Sequence, residues 1–290
     1  MGLRLKFNLV LLLVFVVGLG ATGYVSHDLL HRNARDEVLR NAGVMMEAAL
    51  SMRSYTVAQV RPNLAVDPDK FLPQSVPAFG ATEIMTLLRK KYPDYSYKEA
   101  ALNPTNARNR AVEWEEDILR SFRGNPALGE VSGMRDTPTG RALYLARPMQ
   151  IKDPSCLSCH TTPDMAPPAM VKIYGQANGF GWKENEIIAA QIVSVPMGLP
   201  IRNANRAFVT FISSLAVVFA ALFVILNMML TQLIIEPIAG LSELADQISR
   251  GKVDVPELVT NGGDEVSHLS QSFNRMRRSL QKALSLIEKG

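Results

Sequence analysis

The chain has 290 residues, with 31 Lys and Arg against 27 Asp and Glu, for a net charge of +4 when the histidines are neutral. That length allows one or two domains. The small positive excess forms no basic stripe interleaved with aromatics, so nothing calls for a nucleic-acid partner, and the apolar residues gather in two long runs.

The first run, Phe7 to Val25, reads FNLVLLLVFVVGLGATGYV. It is long enough to cross a bilayer core of about 30 Å as a helix. Ala21-Thr22-Gly23 resembles a signal-peptide cleavage site, but the length of the run favours an uncleaved anchor. Arg4 and Lys6 precede it, which keeps the N-terminus in the cytoplasm. Ser26 to about Val60 then reads as one helix. Asp28 to Ala58 holds no proline, and Val38, Ala42, Met45, Ala49 and Met52 recur at helical spacing.

Residues 61–80 read as a loop punctuated by Pro62, Pro68, Pro73 and Pro77. Thr82 caps an expected helix that runs to Lys91. The alternating aromatics of 92–98 predict a strand. Asn103-Pro104-Thr105-Asn106 is a turn. It leads into an expected helix over Arg110 to Phe122, with Val112, Ile118, Leu119 and Phe122 on its apolar side. Arg141 to Pro148 and Ile187 to Val195 read as strands. The expected architecture of 26–206 is therefore a compact α+β domain, not a small helical bundle.

The second apolar run, Ala207 to Leu230, returns the chain to the cytoplasm. The expected division is 1–25 for the cytoplasmic tip and first span, 26–206 outside the inner membrane, 207–230 for the second span and 231–290 inside. In the last segment Ile234, Ile238, Leu241, Ala245 and Ile248 repeat at 4-3-4-3 spacing. Val266, Leu269, Phe273, Met276, Leu280, Ala283 and Ile287 repeat at 3-4-3-4-3-4 spacing. These are heptad seams. The residues between them include Val253, Val255 and Leu258. Neither helix buries its seam alone, so two helices from each of two subunits predict a homodimer with a parallel four-helix coiled coil. A coiled-coil stalk without a signalling role has the same pattern.

Within the outer segment, Cys156-Leu157-Ser158-Cys159-His160 holds both cysteines and one of the four histidines. C-x-x-C-H is the attachment pattern of a c-type haem. Two thiols at this spacing each add to one vinyl group of a haem lying across the segment. The adjacent imidazole swings under the ring as an axial iron ligand. One covalent haem c per chain is expected, held by Cys156, Cys159 and His160. Two other readings compete. A thioredoxin-like redox pair opens a helix in a βαβ context, whereas Asp153-Pro154 reads as a turn. Half of a zinc site lacks its second cysteine pair. His27 and His31 lie close to the first span and read as solvated or headgroup-facing.

Two stretches resemble known families. Residues 231–285 resemble a HAMP linker domain: Pro237 follows Glu236 just past the second span, and Gly262-Gly263-Asp264-Glu265 ends the connector and opens the second helix. Residues 37–200 resemble the periplasmic c-type haem sensors. The matching stretches are FLPQSVPAF (71–79), YPDYSYKEAALNPTNARNRAVEWE (92–115), CLSCH (156–160) and YGQANGFGWKENEIIAAQIVSVPM (174–197). The resemblance implies a PAS-like fold. In such relatives a HAMP linker leads into a kinase, cyclase or chemotaxis-type output. Nothing follows Gly290, so the output is expected from a separate cytoplasmic partner of one of those kinds, or the chain is a truncated sensor. His268 reads as a surface histidine.

Some members of the haem family use a distant cysteine as second axial ligand, and this chain has no third cysteine. A methionine thioether is the next donor. Met45, Met46 and Met52 are the first candidates, beside an open or water-filled position, with Met165, Met170 and Met197 behind them. Arg53, Arg108 and Arg110 are expected to pair with haem propionates, because guanidinium matches carboxylate geometry. Asn103 and Asn106 are expected to fix their turn. The leading expectation is an inner-membrane haem sensor, with the haem domain in the periplasm. It would pass a redox or diatomic-ligand signal through the HAMP coiled coil. The alternative is a membrane-anchored monohaem electron-transfer cytochrome. An enzyme is not expected, since no distal histidine is available beyond the membrane-proximal pair.

Overall fold

The computed structural model describes residues 2–64, 70–252, 254–258 and 262–287. Pro68, Val253 and the side chain of Ile287 lie outside the described residues. The chain divides into two compact units, residues 27–207 and residues 1–26 with 208–290.

Helix α1 runs Leu3–Tyr55 and passes into a π-helical turn, Thr56–Val60. Gly43 does not interrupt it. Val38, Ala42, Met46 and Ala49 form its buried stripe in the domain, the spacing of one helical face. Helix α2, Pro77–Lys91, starts earlier than expected. A proline suits the first helical turn, where its missing N–H has no partner to lose. Thr82 is therefore inside the helix, where its hydroxyl donates to the Ala78 carbonyl at 2.7 Å. Strand β1, Ser96–Ala101, lies later than the aromatic alternation suggests. Pro93-Asp94 forms a turn closed by the Tyr95 N–H on the Tyr92 carbonyl at 3.1 Å.

Helix α3, Glu113–Gly124, buries Ile118, Leu119 and Phe122. Val112 precedes it and is exposed. The Glu115 carboxylate reaches back to accept the Val112 N–H at 2.9 Å, which settles one donor at the helix start. Strands β2, Val131–Thr137, and β3, Gly140–Gln150, form a hairpin. β2 is an addition to the expected elements. Short helices α4, Leu157–His160, and α5, Pro168–Tyr174, follow, and strand β4, Ile187–Pro196, closes the domain.

The four strands make one antiparallel sheet in the order β1-β4-β3-β2. Register places Tyr97, Val193 and Leu145 in one row, Glu99, Gln191 and Arg147 in the next, and Ala101, Ala189 and Met149 in the third. Side chains alternate along a strand, so these rows share a face. α1 and α2 cover it, packing Val38, Met46, Ala81 and Met85 on Leu143, Leu145, Val193 and Val195. α3 covers the other face, with Leu119 and Phe122 against Ala100, Ala146, Ala190 and Ile192. Ion pairs Arg53–Glu99 at 2.7 Å and Arg147–Glu47 at 2.6 Å pin α1 to the sheet.

In the other unit, the N-terminal part of α1 and helix α6, Gly198–Leu230, are each long and apolar enough to cross a membrane. Phe15 stacks on Phe219 with ring centroids 4.7 Å apart. α6 starts ahead of its apolar run because Pro200 falls in its first turn, where a proline is tolerated. A π-helical turn, Thr231–Ile235, leads into α7, Glu236–Ser249, and α8 spans Glu265–Ile287. Asp264 caps α8 by accepting the Ser267 N–H at 2.8 Å.

The connector before α8 is tied to it. The Asn274 amide bonds both the N–H and the carbonyl of Leu258, at 3.2 and 2.9 Å. Arg277 donates to the Val255 carbonyl and to Glu257. Asn274 and Arg277 are consequently buried. On the seams Leu241 and Ile248 are buried, whereas Leu269, Met276 and Leu280 are exposed in the single chain.

Candidate cofactor site

A cavity of about 650 Å³ opens at the end of the sheet, on the face that α1 covers. The end of α1 walls it with Leu50, Arg53 and Ser54, and the π-helical turn that follows adds Val57. The strands contribute Ala101, Met149 and Ala189, and Cys156, Cys159, His160 and Trp182 close it.

The C-x-x-C-H segment is shaped locally. The Asp153 carboxylate accepts the Ser155 N–H at 2.9 Å and starts a tight turn, Pro154–Cys156. One turn of helix, α4, then carries Cys159 and His160. Both cysteines are free and partly buried. Burial pushes the Cys156 thiol up, and the nearby Asp153 charge adds to this. Among the described residues, no group of three or more His, Cys, Asp or Glu could hold a metal ion.

His160 is the most constrained group. Its Nδ1 lies 2.7 Å from the Gly179 carbonyl. A carbonyl only accepts, so Nδ1 carries the proton and Nε2 keeps its lone pair. The Thr105 hydroxyl is 3.4 Å from the same nitrogen. Trp182 stacks on the imidazole at 3.9 Å with 15° between the planes. Burial holds the ring below the usual histidine range, and the Gly179 bond partly opposes this. A neutral imidazole, with Nδ1 bonded to backbone and Nε2 free, is the form a metal ligand takes. Gly179 is required by its surroundings. It is buried with φ of +86°, and a Cβ there would lie 2.8 Å from the Thr105 Cα.

The other expected residues divide. Arg53 lines the cavity, but its Nη1 bonds both oxygens of Glu99 at 2.7 and 2.8 Å. Glu99 is 3% exposed and also accepts the Tyr97 hydroxyl at 2.7 Å. Gln191 donates to the Tyr97 oxygen at 3.1 Å. Desolvation, followed by the charge of Glu99, raises Tyr97 and keeps it a neutral phenol. Arg108 lines the cavity too, paired with Glu83 at 2.7 Å and set over the Phe79 ring. Arg110 is not among the lining residues and donates to Asn178 at 2.9 Å. Arg61 and Lys152, which no motif marked, do line the cavity.

The structure does not bring Met45, Met46 or Met52 to the cavity. Met46 is fully buried in the core under α1, and Met45 and Met52 pack against the same core. These side chains project from the part of α1 that covers apolar strand residues, so their helical spacing reports packing. Met197 belongs to that core and Met165 is exposed. The thioethers that line the cavity are Met149 and Met170. His27 and His31 stack on each other at 4.0 Å on α1 and are not among the lining residues.

Two thiols, an imidazole with a free Nε2, apolar walls and nearby cations fit a flat apolar macrocycle with carboxylate arms. Sequence reasoning passed over Gly179, Trp182 and Thr105. All three lie in stretches quoted for the resemblance, but their roles depend on contacts across the fold.

The fold and the two bilayer-length helices define a membrane-type α+β chain with a small antiparallel-sheet domain between its apolar helices. The Tll0287-like family model matches residues 31–196, more than half of the chain. The chain belongs to that family. Residues 229–282 match the HAMP domain model, so the HAMP region follows the second apolar helix. The solved structure of the cyanobacterial heme-protein Tll0287 is 14% identical, covering 55% of this chain and 95% of that one at a TM-score of 0.45. No curated protein matches this chain significantly.

Proposed function

We propose that the chain is an inner-membrane haem sensor whose periplasmic domain holds one covalent haem c and whose HAMP domain passes the signal to a separate cytoplasmic output protein. The observation that carries this reading is the set at the cavity wall: both thiols of the chain beside a His160 whose Nδ1 is committed to Gly179 and whose Nε2 is free. Cys156 and Cys159 would hold a haem through two thioether bonds, each S–H adding across one vinyl group with sulfur to one carbon and the proton to the other. His160 would offer Nε2 to the iron, with its imidazole plane held by the stacked Trp182. The bound group supplies an iron that changes oxidation state or takes a small ligand. Arg53, Arg61, Arg108 and Lys152 are the cations available to its carboxylates.

The domain connects to both apolar helices through short links. α1 lines the cavity itself, and only Met197 separates β4 from α6. The HAMP helices favour a homodimer, because Leu269, Met276 and Leu280 stay exposed in one chain. A coiled coil with two packings is a bistable element that a small displacement can bias.

The test is haem staining of the acid-denatured polypeptide, with a pyridine haemochrome count of haem per chain. Staining is expected in the wild type and is lost in Cys156→Ala with Cys159→Ala. Staining that survives the double substitution, or none in the wild type, rejects the covalent assignment. Spectra of the oxidised and reduced protein with NO, CO and O2 then distinguish redox from ligand sensing.

A further inference from the structure

The side chain of Asn103 is committed twice, and both bonds go to the loop that holds His160. Its Oδ1 accepts the Gly179 N–H at 3.0 Å, and its Nδ2 donates to the Phe180 carbonyl at 3.1 Å. The two backbone groups flank the Gly179 carbonyl that accepts from His160 Nδ1. We propose that Asn103 is the positioning residue for the metal-binding imidazole. Its amide clamps the Gly179–Phe180 backbone so that the Gly179 carbonyl fixes the proton on Nδ1 and leaves Nε2 for iron. This rests on the haem reading above.

Several features make the clamp specific. A short side chain must present one acceptor and one donor, and the asparagine amide does both. The base of the Asn103 loop is held by the Ala101–Arg110 bridge, with the Ala111 N–H on the Ala101 carbonyl at 2.9 Å. Thr105 from the same loop packs so closely on Gly179 that no Cβ fits there. The loop around 103–106 and the loop around 178–182 are therefore one matched unit. It also anchors the segment after His160, through the Gly181 N–H on the Thr161 carbonyl at 2.9 Å.

The consequence is electronic. A carbonyl accepting from Nδ1–H makes Nε2 a stronger donor, which favours the more highly charged, oxidised iron. Loosening the clamp weakens that bond and moves the equilibrium toward the reduced form.

The experiment is a spectroscopic redox titration of the full haem-loaded chain in detergent, comparing wild type, Asn103→Ala and Asn178→Ala. The Asn178 side chain accepts from Arg110 and so joins the same two loops, with no hydrogen bond of its own to the Gly179 or Phe180 backbone. In Asn103→Ala the oxidised-to-reduced ratio at a fixed potential should fall at least threefold, a rise in midpoint of about 28 mV at 59 mV per tenfold. Asn178→Ala should leave the midpoint unchanged. If Asn103→Ala does not accumulate, Asn103→Gln keeps both amide groups but displaces them by a methylene, and the same rise is expected. A haem-loaded Asn103 variant with the wild-type midpoint overturns the proposal and leaves the haem reading intact. Equal shifts in the Asn103 and Asn178 variants overturn it as well, because they reduce the clamp to general loop attachment. A wild-type chain that carries no haem overturns both readings.

Discussion

Replacing Arg53 with leucine tests the ion pair that pins α1 beside the cavity. The Glu99 side chain is 4% exposed and that of Arg53 is 23% exposed. Glu99 takes three hydrogen bonds, two from Arg53 Nη1 and one from the Tyr97 hydroxyl. Arg53→Leu removes two of them and leaves a buried carboxylate facing a neutral phenol. Removing one partner of a buried pair costs about 3–5 kcal/mol, since the remaining charge is uncompensated. For a unit of this size, each kcal/mol moves the melting temperature by about 2–4 °C, so the expected fall is roughly 6–20 °C. The double variant Arg53→Leu with Glu99→Leu removes the charge as well and should recover most of the loss, because an apolar replacement of a buried pair is often close to neutral. Thermal melts of the full chain in detergent, followed by circular dichroism, read both. A single variant within about 1 kcal/mol of wild type, about 2–4 °C, would refute the reasoning, as would a double variant no better than the single.

Two further outcomes concern the rest of the chain. A periplasm-active phosphatase fused at Gly124 should be active and one fused at Gly290 inactive, as Arg4 and Lys6 before the first span require; the opposite pattern rejects the proposed topology and the haem assignment with it. Leu280→Asp should weaken the dimer in cross-linking and sedimentation while leaving the haem spectrum unchanged, since a leucine contributes about 1.5–3 kcal/mol on full burial and Leu280 is 40% exposed in one chain. Undiminished dimer in that variant removes the four-helix coiled coil.

Signals that are local in the chain were legible from the residues alone. Bilayer-length apolar runs, heptad seams and the C-x-x-C-H spacing each depend on neighbours within a few turns. So did the long helix after the first span, whose buried residues recur at helical spacing, and the strand expected at Ile187–Val195, which forms as Ile187–Pro196 and is buried along almost its whole length. Boundaries moved where proline chemistry decided them, at Pro77 and at Pro93-Asp94.

Only the tertiary structure decided what each side chain faces. Met45, Met46 and Met52 carry suitable donors, but the register of α1 on the sheet points that stripe at apolar strands. Arg53 finds its partner 46 residues away, and Asn103 reaches a loop 76 residues on. Such pairings follow from which strands become neighbours, and the order β1-β4-β3-β2 sets the last strand beside the first. The amino-acid sequence by itself determined the two apolar helices, the heptad spacing after the second of them and the C-x-x-C-H segment. The tertiary structure decided which of those residues share a cavity, because a helix or strand repeats its side chains in every direction and only packing chooses the one that faces inward.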